Sequence, residues 1–313
     1  MIPEITFLGR TLPIYGLFCT LGIVVACVVG LLLAKKKGFE IFDFVLVALI
    51  TLISAFVGAK LLAIIVEWNA VVATFQAMPF FEAFGLIMMG GFVFYGGLIG
   101  GVVGLFTTLI IKKADILSYT NIYCTVLPLG HAFCRIGCFF GGCCHGKIHD
   151  GFLSVTYGEA YEGITTAPLN TPVLATQLIE ATALFVISFV LLFLFFKFPK
   201  TKKLTTIVYA FSYSIVRFVL EFFRGDSSRG IWANISTSQW ISIIIFACVL
   251  AYTIYCIVKY HQSKKLKLAK VYCESPDTCA NITETILQNK AQDNDEKVAE
   301  LKQTIEDEKE KDQ

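Results

Sequence analysis

The sequence predicts an all-α polytopic membrane protein with seven transmembrane helices, and composition, apolar run length and lysine placement each point there. Of 313 residues, 56% are hydrophobic and 16% charged, with a mean hydropathy of +0.70. That is too apolar for a water-soluble domain. Runs of about 20 apolar residues, enough to cross a bilayer, lie at Leu12 to Ala34, Ile41 to Val66, Phe84 to Ile111, Ile116 to Phe140, Val173 to Phe196, Leu204 to Phe223 and Ser238 to Val258. Lysines cluster in alternate connections: Lys35 to Lys37, Lys112 and Lys113, Lys197 to Lys203, and Lys259 to Lys270. By the positive-inside rule the N-terminus is outside and the C-terminus cytoplasmic, a parity that an odd number of spans satisfies.

The first span follows a segment, Met1 to Pro13, whose only base is Arg10, and it is long enough to cross the membrane. A cleavable signal is therefore not expected. Between spans two and three, Trp68, Phe75, Phe80 and Phe81 suggest a short amphipathic piece lying in the interface. Span three carries Gly96, Gly100 and Gly104 on one helical face and Gly97 and Gly101 on the next, a pattern that lets helices approach closely.

Span four carries Arg135, and span six places Tyr213, Arg217, Glu221 and Arg224 on one stripe. An arginine at membrane depth costs several kcal/mol unless paired, so each marks a functional site with an anionic partner. Arg217 and Glu221 stand at i, i+4 and can pair along the helix. At ~1.5 Å per residue, Arg135 lies roughly 28 Å from the cytoplasmic start of its span and Arg217 roughly 20 Å from that of its own. Both then sit in the outer half of the bilayer, where two planar guanidinium forks suit a shared phosphate.

The eleven cysteines are mostly scattered through apolar segments and do not form a disulfide framework. Cys134, Cys138, Cys143, Cys144 and His145 do not repeat the paired C-x2-C spacing of structural zinc sites, and adjacent cysteines rarely ligate one ion. They are expected to be neither metal ligands nor nucleophiles, and no cofactor is expected. After the last span the chain turns polar. Between Val271 and Gln313 there are 12 acidic and 5 basic residues, a tail of −7 against +9 for the rest of the +2 chain. The division is a membrane domain over residues 1–260 and a charged, partly helical or disordered cytoplasmic tail over 261–313, with Ile282, Ile286, Val298, Leu301 and Ile305 at helical spacing.

Taken in order, these residues resemble the prolipoprotein diacylglyceryl transferase family, over roughly Leu12 to Val258. Tyr15-Gly16-Leu17, Gly96-Gly97-Leu98-Ile99-Gly100, Arg135-x-Gly137 with Gly146, and Arg217-x-x-x-Glu221-Phe222-Phe223-Arg224 are similar to its motifs. Thr176-Gln177-Leu178 with Glu180, and Ser238-Gln239, match shorter segments. Tyr95 stands where the family usually has histidine. Cys138, Gly141 and Cys143 stand where it has two asparagines and a glutamate.

The resemblance implies a multi-pass enzyme of the bacterial plasma (inner) membrane. Its reaction moves the diacylglyceryl group of phosphatidylglycerol to a cysteine thiol of a lipoprotein precursor and releases glycerol phosphate. Arg135, Arg217, Glu221 and Tyr95 are the implied catalytic residues. Tyr15, Gly96, Gly97, Gly100, Gly137, Gly146, Tyr213 and Arg224 are the implied substrate-binding ones. Membrane lipids are partners and nucleic acid is not. Two alternatives stay open: a lipid-headgroup transferase with another acceptor, and an anion or lipid transporter built from broken glycine-rich helices.

Overall fold

The computed structural model describes residues 4–7, 10–158, 160, 165–201, 203–225, 231–232 and 235–271. A hairpin of β1 (Glu4–Phe7) and β2 (Arg10–Pro13) leads into α1 (Ile14–Lys36), α2 (Ile41–Val66), two short helices α3 (Trp68–Ala77) and α4 (Phe80–Met89), α5 (Phe94–Ile111) and α6 (Ile116–Gly141). A two-stranded sheet of β3 (Ser154–Thr156) and β4 (Pro172–Leu174) precedes α7 (Thr176–Lys197) and α8 (Leu204–Glu221). The hairpin β5 (Ile231–Trp232) and β6 (Ile235–Ser236) then leads to α9 (Thr237–Val271). Seven of these helices are long and apolar enough to cross a membrane: α1, α2, α5, α6, α7, α8 and, over Thr237–Gln262, α9. By contacts the chain divides into Met1–Val249 and Leu250–Gln313. Of the second unit only residues 250–271 are described, so most of the expected tail, with its helical spacing from Ile282 to Ile305, lies outside the described residues.

The expected third span is corrected by the break at Gly90 and Gly91. Instead of one helix from Phe84 to Ile111, a separate ten-residue apolar helix, α4, ends at Met89, and the spanning helix starts at Phe94. The Gly90 and Gly91 carbonyls accept from Lys60 Nζ at 3.0 and 3.3 Å, so the interruption has partners for backbone groups that a continuous helix would have paired internally. Of the aromatics expected on a short amphipathic piece, Trp68 and Phe75 lie on α3, which has no buried residue, and Phe80 and Phe81 begin α4. Span five begins at Thr176 because Val173 belongs to β4.

Local signals set the limits of α6. Asp115 caps its start, Oδ1 accepting the Ser118 N–H at 3.3 Å, and Gly142 ends it at φ +68°, a left-handed conformation that glycine adopts without a Cβ clash. Small residues set the closest helix pairs. A Cβ on Gly96 would lie 2.3 Å from the Gly58 carbonyl oxygen, and one on Gly100 2.3 Å from that of Ser54, so α5 and α2 touch backbone to backbone. Between α1 and α6, Gly22 and Gly130 do the same.

Gly100→Val therefore forces two helices apart, and its unfolding midpoint in detergent should drop by an amount equivalent to about 1–3 kcal/mol. Val103→Ile, at a 59% exposed position on the same helix, is the control and should not move it. Equal midpoints for the two variants would contradict the packing.

A cluster of Leu33, Phe44, Val47, Leu109, Tyr119, Ile122 and Phe195 closes one end of the bundle. Phe44 stacks on Tyr123 at 5.1 Å and Phe39 meets Tyr119 edge-on at 4.7 Å. At this end Lys112 pairs with Asp43, and Lys37 Nζ donates to the Pro199 carbonyl. Three of the lysine-bearing connections thus share one end. Large apolar side chains such as Leu32 and Ile99 stand exposed, as expected where the surrounding solvent is hydrocarbon.

Candidate active site

Toward the other ends of α6, α7 and α8, three helices bring charge into the apolar bundle at one place. Arg135 on α6 points its Nε at Glu180 of α7, 3.2 Å from Oε2, and at His131 Nε2, also 3.2 Å away. Arg217 on α8 lies 3.9 Å from the same Glu180 oxygen through Nη1 and 2.7 Å from Glu221 Oε2 through Nη2. Tyr213, one turn before Arg217, donates its hydroxyl to Glu180 Oε1 at 3.2 Å. The Glu180 side chain is only 4% exposed, and the two arginines 14% and 12%. One carboxylate therefore sits between two guanidinium groups, each of which keeps N–H groups to spare.

Tyr95, in the first turn of α5, is joined to this cluster through α9. Its hydroxyl lies 3.1 Å from Ser238 Oγ, which accepts from Arg217 Nη2 at 3.1 Å. Arg217 Nη1 is buried without a hydrogen-bond acceptor among the described residues. Arg224, 8% exposed, follows α8 and bridges to Gly146, while Gly225 N donates to the His145 carbonyl at 3.1 Å. Arg224 is near enough to act electrostatically on Glu180, so a third guanidinium belongs to this buried site.

The segment after α6 is held by α7. Gln177 Nε2 donates to the Cys143 carbonyl at 2.8 Å, Thr176 Oγ1 to that of Cys144 at 3.0 Å, and Gly146 pairs with Leu174 at 2.9 Å. A Cβ on Gly146 would lie 2.7 Å from Leu174 Cβ, which is why no larger residue fits there. Cys144 itself adopts φ +59°. Its thiol is held below the usual range by hydrogen bonds from Cys138 and Cys143, with the charges of Arg135 and Arg224 adding to them. The Sγ atoms of Cys138, Cys143 and Cys144 all lie within 4.8 Å of one another, so the objection from their spacing does not hold in three dimensions.

A sequence profile of the prolipoprotein diacylglyceryl transferase family matches residues 3–255. The chain belongs to that family. Among its relatives, a phosphatidylglycerol–prolipoprotein diacylglyceryl transferase 2 of Clostridium perfringens is 33% identical over 247 residues, covering 79% of this chain and 92% of the relative. A transferase of the same name from Clostridium tetani is 30% identical over 229 residues, covering 73% and 87%. One from Helicobacter pylori strain J99 is 31% identical over 195 residues, covering 60% and 65%.

Of the residues expected in a prolipoprotein diacylglyceryl transferase site, Arg135, Arg217, Glu221, Tyr213, Arg224 and Tyr95 form the network just described. Tyr15, at the start of α1, is within electrostatic reach of Cys19, Cys138 and Cys143, and its carbonyl oxygen would lie 2.9 Å from a Cβ on Gly137. Gly137 thus serves the contact of α6 with α1. Gly96, Gly97 and Gly100, expected to bind substrate, turn their Cα faces to α2. Glu180, absent from the expected site residues, is at its centre. Its signal was a lone carboxylate in an apolar run, within the family segment Thr176-Gln177-Leu178 with Glu180.

Proposed function

We propose that the protein transfers the diacylglyceryl group of phosphatidylglycerol to the thiol of a cysteine in a lipoprotein precursor and releases glycerol phosphate, with Arg135 and Arg217 holding the phosphate. The observation that carries this reading is the buried Arg217 Nη1, without an acceptor among the described residues, beside the Arg135 guanidinium that shares Glu180 with it. A phosphodiester brings one negative charge and several acceptor oxygens, so it satisfies both. The names of the Clostridium relatives support the same substrate and acceptor.

The reaction is a displacement at carbon. The acceptor sulfur attacks the glycerol CH2 that carries the phosphate, the C–O bond breaks, and glycerol phosphate departs with the electron pair. Negative charge grows on the leaving oxygen, and fixed guanidinium donors in a water-poor site stabilise it there. Glu180 and Glu221 hold the forks in place, and Tyr213 locks Glu180 from the far side. Tyr95, acting through Ser238, positions Arg217.

Tyr95→Phe should lower transfer about fivefold, the equivalent of one ordinary hydrogen bond, and leave the pH profile in place. Loss of all detectable transfer by the folded variant at every pH would make Tyr95 the base instead.

In the proposed orientation the N-terminus and the arginine site face outward in a bacterial plasma membrane, and the lysine-bearing end faces the cytoplasm. The same rule assigns the acidic tail to the cytoplasm. Truncation after Lys270 should leave transfer within about twofold in membranes, whereas loss of activity with the fold intact would assign the tail a role. The test of the function itself is release of glycerol phosphate from phosphatidylglycerol by purified protein, dependent on a cysteine peptide. An anion or lipid transporter would bind the lipid and release nothing.

A further inference from the structure

The proposed reaction needs a thiolate, yet an unperturbed thiol is mostly protonated at neutral pH, with a pKa of ~8.5. The acid–base groups around the arginines are already engaged: Glu180 and Glu221 in ion pairs, His131 by Arg135. Beside them stand three thiols that these contacts do not use.

We propose that Cys138, Cys143 and Cys144 hold a zinc ion whose fourth position takes the acceptor cysteine, so that the metal supplies the thiolate that the displacement requires. This inference rests on the transferase reading above. Three protein ligands with one open position is the arrangement of catalytic rather than structural zinc, and thiolates select zinc over harder cations.

The geometry fits. A tetrahedral ion with Zn–S bonds of ~2.3 Å sets its sulfurs ~3.8 Å apart, and the three Sγ atoms lie within 4.8 Å before any ion draws them in. Adjacent cysteines in regular extended backbone point to opposite sides. Here the positive φ of Cys144, at +59°, breaks that alternation and lets Cys143 and Cys144 both face Cys138 on the last turn of α6. The strained turn is fixed by the hydrogen bonds of Gln177 and Thr176 to the two carbonyls, so it is built into the fold.

Charge fits as well. Three thiolates and one zinc ion sum to −1, and the charges of Arg135 and Arg224 act at the Cys144 sulfur. On binding, the acceptor S–H loses its proton to solvent. Its sulfur then forms the C–S bond as the C–O bond to phosphate breaks, glycerol phosphate leaves with the electron pair, and the neutral thioether, a weak ligand, departs from the metal.

Purified full-length protein, kept reduced and loaded with zinc, should retain one zinc per chain, and Cys143→Ser/Cys144→Ser should retain none while unfolding at the temperature of the metal-free wild type. The cobalt-loaded protein should show a thiolate-to-metal absorption band that strengthens on adding a cysteine peptide and not its serine counterpart. Stripping the metal with a chelator should lower thioether formation at least tenfold, and zinc should restore it. Equal zinc in wild type and variant, no zinc in either, or full transfer by metal-free protein would overturn the metal site and leave the transferase reading standing. Zinc bound as expected with no thioether formed would overturn the transferase reading and leave the metal site.

Discussion

Arg135→Lys is expected to insert, fold and lose transfer by about two to three orders of magnitude, the size of effect seen when one preorganised donor to a developing negative charge is removed. Lysine keeps the positive charge, so the electrostatic balance with Glu180 survives and the stability of the bundle should change little. What is lost is the planar fork: Arg135 spends Nε on Glu180 and His131 and keeps its terminal nitrogens for a second acceptor, whereas an ammonium has no such division. Transfer assayed in detergent with an unfolding control checks this. A lysine variant that works like the wild type would mean that charge alone suffices and the fork has no role.

Glu180→Gln should be the most damaging single change to the fold at the site. Removing one partner of a buried ionic group leaves the other charges uncompensated, which costs about 3–5 kcal/mol in comparable cases. Here two arginines lose their common partner at once. The 2.7 Å pair of Arg217 with Glu221 survives that change, so Glu221→Gln should cost less, and the ranking of the two variants by unfolding midpoint is the readout. Equal midpoints, or a more stable Glu180→Gln, would show that Glu180 is not the shared counter-charge.

How far the sequence reached can be followed residue by residue. Length and hydropathy suffice to find spans, since a bilayer imposes both, and all seven stand where apolar runs stand. The same averaging hid the break at Gly90 and Gly91: α4 and α5 are both apolar, and two glycines do not lower the mean enough to separate them. Arg135, Arg217 and Glu221 were legible because a charge in a span demands an explanation, and Arg217 with Glu221 pair within one helix.

Glu180 pairs only across helices, and one-dimensional spacing does not say which helix faces which. Gly96 and Gly100 present a related problem: a small face in the sequence does not say which helix lies against it, and here that helix is α2. The three cysteine sulfurs lie within 4.8 Å of one another at a helix end followed by a left-handed cysteine, a proximity that linear spacing does not disclose.

In the proposed mechanism the arginine pair holds a phospholipid while a cysteine displaces its phosphate. Mass spectrometry of a lipobox peptide incubated with purified protein and phosphatidylglycerol tests it most directly. The expected product is a peptide heavier by one diacylglyceryl group in thioether linkage, stable to hydroxylamine, formed with stoichiometric glycerol phosphate and absent with Arg135→Lys. An unmodified peptide alongside lipid bound by folded protein, or a hydroxylamine-labile acyl adduct, would contradict it.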